Sequence, residues 1–164
     1  MRLTMLRSPS SLSPPLNLSA LYEQDYYAWL QATAKQLKDN QLQGLDRLNL
    51  LEEIESMGRS EKNALGSNLQ ILLMHLLKYR YQPEKRSNSW LLTIFEHRDR
   101  IEEALEQSPS LQPYLREIFH KCYAKARQKA ALETGLALNT FPAESPFSLD
   151  ETLDVDFLPE TKSG

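Results

Sequence analysis

The stretch "LGSNLQILLMHLLKY", residues 65 to 79, decides the fold. Leu65, Leu69, Leu72, Leu76 and Tyr79 step by four and by three, the spacing that sets side chains along one face of an α-helix. Such a seam predicts a helix packed between other helices. The apolar run Ile71 to Leu77, interrupted by His75, is far too short to span a bilayer, so no membrane role is expected. Pro83 has no N–H and disfavours the α conformation at Gln82, so the helix must end there.

Working backwards from the seam, Asp46 can cap a helix running through Met57. Its Leu50, Leu51 and Ile54 are expected to face inward, and Glu52, Glu53 and Glu55 outward. Gly58 either ends this helix or only kinks one long one. Before it, Leu21 to Lys38 reads as a first helix with Ser19 as N-cap. Its expected inner face holds Tyr22, Tyr26, Trp29, Leu30, Thr33 and Leu37. Residues 1–18, rich in Ser and Pro, read as a flexible lead-in. They carry two arginines but no continuous apolar run, so a secretory leader is not expected.

Working forwards, Ser87 or Asn88 caps a helix with the stripe Trp90, Ile94, His97, Ile101 and Leu105. "SPSLQP", residues 108 to 113, makes a corner. The last long helix spans about Leu111 to Glu133, with Leu115, Ile118, Phe119, Cys122, Ala126 and Ala130 inside and Gly135 as its stop. "SLDE", residues 148 to 151, is a capping box for a short helix. No strand pattern emerges. The chain of 164 residues, with only five glycines, therefore reads as all-α. The architecture is a four- to five-helix bundle over residues 19–160, with an extended acidic C-terminal strap at residues 140–160 packed on it.

The formal charge of -3 hides an asymmetry: residues 141–160 hold six acids and no base, while residues 1–140 hold 18 bases and 16 acids. Affinity for nucleic acid by net charge is excluded, and any such case rests on local patches. The strap carries Phe141, Phe147, Leu149, Leu153, Phe157 and Leu158, too apolar for a solvated tail. Its carboxylates are expected to turn towards the stripe of Lys121, Lys125 and Lys129. One cysteine, Cys122, excludes an internal disulfide and suits a reducing, cytoplasmic setting.

The order of "LYEQDYYAWL", "LDRLNLLEEIESMGRSEKNAL", "LLMHLLKYRYQPEKRSNSW", "SPSLQPYLREIF", "ARQKAALETGL" and "FPAESPFSLDETLDVDFLPE" resembles a bacterial family catalogued as domain of unknown function number 29. The resemblance covers residues 21 to 160 and implies an all-α fold with no established activity. It carries no catalytic or ligand residues.

The candidate binding residues sit at the corner after the leucine seam: Arg80, Tyr81, Lys85, Arg86 and Trp90, beside Lys78 and Tyr79. Cations interleaved with aromatics can grip phosphates and stack bases. They equally complement the negative end of a helix dipole while the rings pack under the turn, which is the reading we prefer. Glu52 and Glu55 resemble a carboxylate pair, but Arg59 at i+4 from Glu55 makes an ordinary charged face. Glu117 and His120 have the i, i+3 spacing of di-iron bundles, which require two such motifs and two further glutamates. His75 and His97 lie in apolar stripes, as neutral core histidines do. No metal or cofactor is expected, and no catalytic set is identified. The whole reads as a non-enzymatic protein that binds another macromolecule, a protein partner first. The alternative is a nucleic-acid binder or RNA-directed enzyme using Arg80, Lys85, Arg86, Arg116 and His120.

Overall fold

The periodicities above become helices, and among the described residues no strand forms. The structure is a computed structural model that describes residues 17–160. The sequence-predicted lead-in thus lies largely outside the described residues. Asn17 and Leu18 do not belong to it: the Asn17 side chain accepts from Ala20 N–H and caps α1, Leu18–Gln24. Leu18 is buried. The cap is therefore Asn17 rather than Ser19, and the expected single helix is broken once. Asp25 leaves helical geometry (φ -151°, ψ 86°) and its carboxylate accepts from Ala28 N–H, starting α2, Tyr26–Lys38. A side chain that satisfies an orphan N–H makes such a restart cheap.

α3, Arg47–Tyr81, is one helix of 35 residues, about 52 Å at the usual rise. Gly58 lies inside it without a break, and a Cβ built there would meet nothing. After a single turn at Pro83–Lys85, Ser87 caps α4, Asn88–Gln107. A second short turn, Pro109–Leu111, leads into α5, Gln112–Thr134, which ends at Gly135 with φ 70°. Only a residue without a Cβ adopts that left-handed geometry at no cost. α6, Leu149–Leu153, opens on a capping box in which Ser148 and Glu151 exchange side-chain to backbone bonds.

The chain divides into two compact units at Ser56/Met57. In the second, Leu65, Leu69, Leu72, Leu73, Leu76 and Leu77 of α3 are all but inaccessible to solvent. They pack with Ile94 and Ile101 of α4 and with Leu115, Phe119, Cys122, Tyr123, Ala126 and Ala130 of α5. Each leucine removed from water contributes about 1.5–3 kcal/mol. Trp90 and Leu105, expected inside, are only half-buried at the ends of the α4 stripe.

Residues 141–160 are anchored to this core by rings and by backbone carbonyls. Phe141 and Phe147 are buried in it. Arg98 of α4 is 4 % exposed and donates to the carbonyls of Thr152 (2.9 Å), Val155 (3.4 Å) and Phe157 (2.8 Å). From α5, Tyr123 Oη donates to Pro142 O at 2.7 Å and Arg127 Nε to Phe141 O at 2.9 Å. Of the strap's carboxylates, which were expected to turn towards the last helix, Glu144 lies 4.0 Å from His120 of α5, while among the described residues no ion pair joins residues 141–160 to Lys121, Lys125 or Lys129. The physical reason is solvation. Exposed carboxylates gain little from leaving water, whereas buried carbonyls must find donors.

The first unit, within residues 17–56, is held differently. Tyr22, Tyr26 and Trp29 form an aromatic trio with centroids 4.9 to 5.9 Å apart. Trp29 is fully buried and its Nε1 donates to Asp46 at 3.3 Å. Tyr22 and Tyr26 each donate to a different oxygen of Glu53, at 2.6 and 2.7 Å. Glu53 was expected to face out; the two phenols draw it in. Leu51 and Ile54, expected inward, are 54 % and 58 % exposed, and Leu30 and Leu37 are 37 % and 47 % exposed. The tyrosines and the carboxylate occupy the inner face that these residues were assigned.

Candidate functional site

The corner singled out by sequence sits where the end of α3, the Pro83–Lys85 turn and the start of α4 meet. Its cations differ in what they touch. Lys78 is buried, donates to Glu133 of α5 at 2.6 Å and lies 4.6 Å above the Trp90 ring. Arg86 donates through Nε to Tyr79 O at 2.8 Å and stacks 4.1 Å from the Tyr79 ring. It thus satisfies one of the carbonyls that the end of α3 leaves orphaned. The Arg80 guanidinium lies 5.9 Å from the centroids of both Tyr81 and Phe147, and its Nε is buried without a hydrogen-bond partner. Tyr81 meets Phe141 edge to face at 5.3 Å. Lys85 projects into solvent. The structure therefore brings Tyr81, Arg86 and Trp90 into intramolecular packing and leaves Lys85 outside it.

The histidines differ by burial. His75 Nδ1 lies 3.0 Å from Ile71 O, and His97 Nδ1 lies 2.7 Å from Asn68 Oδ1. Burial pushes both imidazoles below their ordinary range, and Lys78 near His75 and Arg100 near His97 add to it. Both are neutral at pH 7. His120 is exposed, with Nδ1 4.0 Å from Glu144. Among the described residues, no three His, Cys, Asp or Glu side chains are placed to hold a metal ion.

Cavities open on the second unit. One of about 450 Å³ lies between α4 and α6, lined by Arg98, Ile101, Glu102, Leu105, Leu153 and Val155. Its one guanidinium is already committed to backbone carbonyls. Another of about 240 Å³ lies between α3 and α5 and includes Lys62, Lys121 and Lys125. At its floor Cys122 Sγ donates to Gly66 O at 3.6 Å. Burial pushes the thiol up, against the pull of Gln70 and of Lys125, Lys121 and Lys129. Sequence reasoning named the lysine stripe but missed the groove beside it. The signal was present in Gly66 and Ser67, small residues on α3.

In the first unit, the bonds from Tyr22 and Tyr26 hold the Glu53 carboxyl below its usual range. The bond to Glu53 raises Tyr22 to about 12. Glu53 is therefore ionised, and Tyr22 protonated, throughout the physiological range. This site was missed because alternation of Glu with Leu on α3 reads as a solvated edge. Among the described residues, no helix is long and apolar enough to cross a membrane. No curated protein and no solved structure matches the chain. Residues 21–158 match the family described as "Domain of unknown function DUF29", and the chain belongs to that family.

Proposed function

We propose that the chain is a non-enzymatic, cytoplasmic protein that binds a helical segment of another protein through its first unit. One observation carries this reading. Leu48, Leu51 and Ile54 recur every three residues on α3 and are 83 %, 54 % and 58 % exposed. On α2, Tyr27, Leu30 and Leu37 line one face in the same way, with Tyr27 68 % exposed. Lone exposed apolar side chains are ordinary, but ladders of them mark interaction surfaces. Anchors at helical spacing are how one amphipathic helix reads another. Residues 17–56 carry seven acids and three bases, so the fitting partner is a helix whose apolar face is flanked by lysines and arginines. Cys122, buried and free, is in keeping with a reducing compartment.

The test is a photoreactive amino acid placed at position 51 and, as a control, at exposed position 116. The expected result is a protein crosslinked from position 51 alone. The mapped helix of that partner, as a purified peptide, should bind about 10–100-fold more weakly to Leu48→Asp/Leu51→Asp, with helix content unchanged. Crosslinking to a second copy with a dimer in sedimentation, or equal crosslinking from both positions, overturns the reading. So does recovery of nucleic acid as the bound species.

A further inference from the structure

The groove between α3 and α5 gathers cations without acids. Lys62 of α3 faces Lys121 and Lys125 of α5, and no carboxylate lines the space. Asn63, Ser67 and Gln70 add neutral hydrogen-bonding groups from α3, and Tyr114 of α5 also lines the space. Lys62 Nζ rests 4.8 Å over the Tyr114 ring. Lys129, one turn beyond Lys125 on α5, donates to Gln70 at 3.1 Å. Lys121 and Lys125 have no ion-pair or hydrogen-bond partner among the described residues. Glu117 on α5 and Glu61 on α3 are the nearest acids in sequence, and both are exposed and outside the lining.

In a protein with a formal charge of -3, such clustering is not what a uniformly solvated surface gives. Like charges held around a concave surface repel one another, and an anion relieves that repulsion. Gly66 contributes no side chain to fill the floor: a Cβ there would already touch Ile118 at 3.5 Å and Cys122 at 3.9 Å. The volume of about 240 Å³ is below the roughly 300–1,000 Å³ of sites for drug-sized ligands. That size selects a compact anion over a nucleotide. Ammonium groups act as point charges and suit a phosphate, which carries multiple charge on a small frame.

We propose that this groove binds a small phosphate-class anion, either free inorganic phosphate or the phosphate group of a small ester. Lys121 and Lys125 supply the charge from one side and Lys62 from the other, while Asn63 and Ser67 hydrogen-bond its oxygens.

The experiment titrates the full chain with inorganic phosphate and with glycerol phosphate at constant ionic strength, following amide shifts by NMR. Saturable shifts at residues 62–70 and 114–125 are expected. Glycerol phosphate binding more tightly than phosphate identifies an ester as the natural source, and the reverse identifies free phosphate. Lys121→Gln and Lys125→Gln should each weaken binding about tenfold or more, whereas Lys85→Gln on the same unit should leave it unchanged. Ser67→Leu fills the groove without changing charge and should abolish binding with the melting temperature retained. Shifts that are linear and unsaturable, or a loss equal in Lys85→Gln, overturn the site. So does binding that survives Ser67→Leu, or that is confined to oligonucleotides and not displaced by phosphate.

Discussion

The two units use apolar residues in opposite ways. From Leu65 to Leu77, α3 buries its leucines against α4 and α5. Earlier on the same helix, Leu48, Leu51 and Ile54 lie in solvent while Glu53 and Asp46 take the inward bonds. One stretch is held by area removed from water, the other by an aromatic trio and charged acceptors. The difference teaches that an apolar stripe reports a need for a partner and does not say which. In the second unit the partner is in the chain; in the first, Tyr22, Tyr26 and Trp29 win the inner face.

The comparison can be broken most sharply at Leu72. Leu72→Ala should cost about 2–5 kcal/mol in chemical denaturation, since the site is closed on all sides and leaves a cavity. Leu51→Ala should stay within about 0.5 kcal/mol, as truncation of an exposed side chain does. Equal costs would erase the distinction between the two stretches.

Arg98→Met ranks next. It removes three donors, one from the buried carbonyl of Thr152 and two from the part-buried carbonyls of Val155 and Phe157. A loss of about 2–4 kcal/mol is expected, given about 1.5–3 kcal/mol for a charged hydrogen bond and partial rehydration of the carbonyls. Limited proteolysis should then cut near Val155, and dye binding to apolar surface should rise. Unchanged cleavage would show that Phe141 and Phe147 hold the segment unaided.

A smaller effect is expected of acid on the histidines. Both folded imidazoles titrate below the ordinary value of 6.5, so the unfolded chain binds more protons as pH falls. Their contribution is present above pH 6.5 and is lost as pH drops through the folded values. Denaturation midpoints should fall between pH 7 and 5, and His75→Gln/His97→Gln should flatten that slope. A midpoint independent of pH over this range would contradict neutral, buried rings.

The smallest global effect is expected of Glu53→Gln. Hydrogen-exchange protection should drop in α1 and α2, because the phenols lose a charged acceptor, while α4 and α5 keep theirs. Equal loss throughout would mean that the two units unfold together.

Much of the fold was legible because backbone chemistry dictates it locally. Pro83, Gly135 and the Ser148/Glu151 box act within a turn of themselves, and the leucine seam has one period. Asp25 was not read as a break, because a capping aspartate inside an apolar-periodic run looks like any exposed acid. Arg98 was passed over although it stands four residues after Ile94 and three before Ile101, on the buried stripe. A cation there announces buried acceptors, but only the fold reveals that they are carbonyls more than fifty residues away. The corner's composition was legible and its division of labour was not, since whether Lys78 meets Glu133 depends on how α5 crosses α3.

The Arg98 bonds also have a place in an order of events. They join residues 54, 57 and 59 positions apart, whereas the turns between α3, α4 and α5 close loops of a few residues. The contacts of α5 with α3 span just as much, 55 residues for Lys78 with Glu133, so it is the direction of synthesis that places the Arg98 bonds last. From the ribosome, α3, α4 and α5 emerge while the hydrophobic cleft for Phe141 and Phe147 is still vacant. During synthesis the chain passes through an interval with that cleft open, when a chaperone rather than residues 141–160 must shield it.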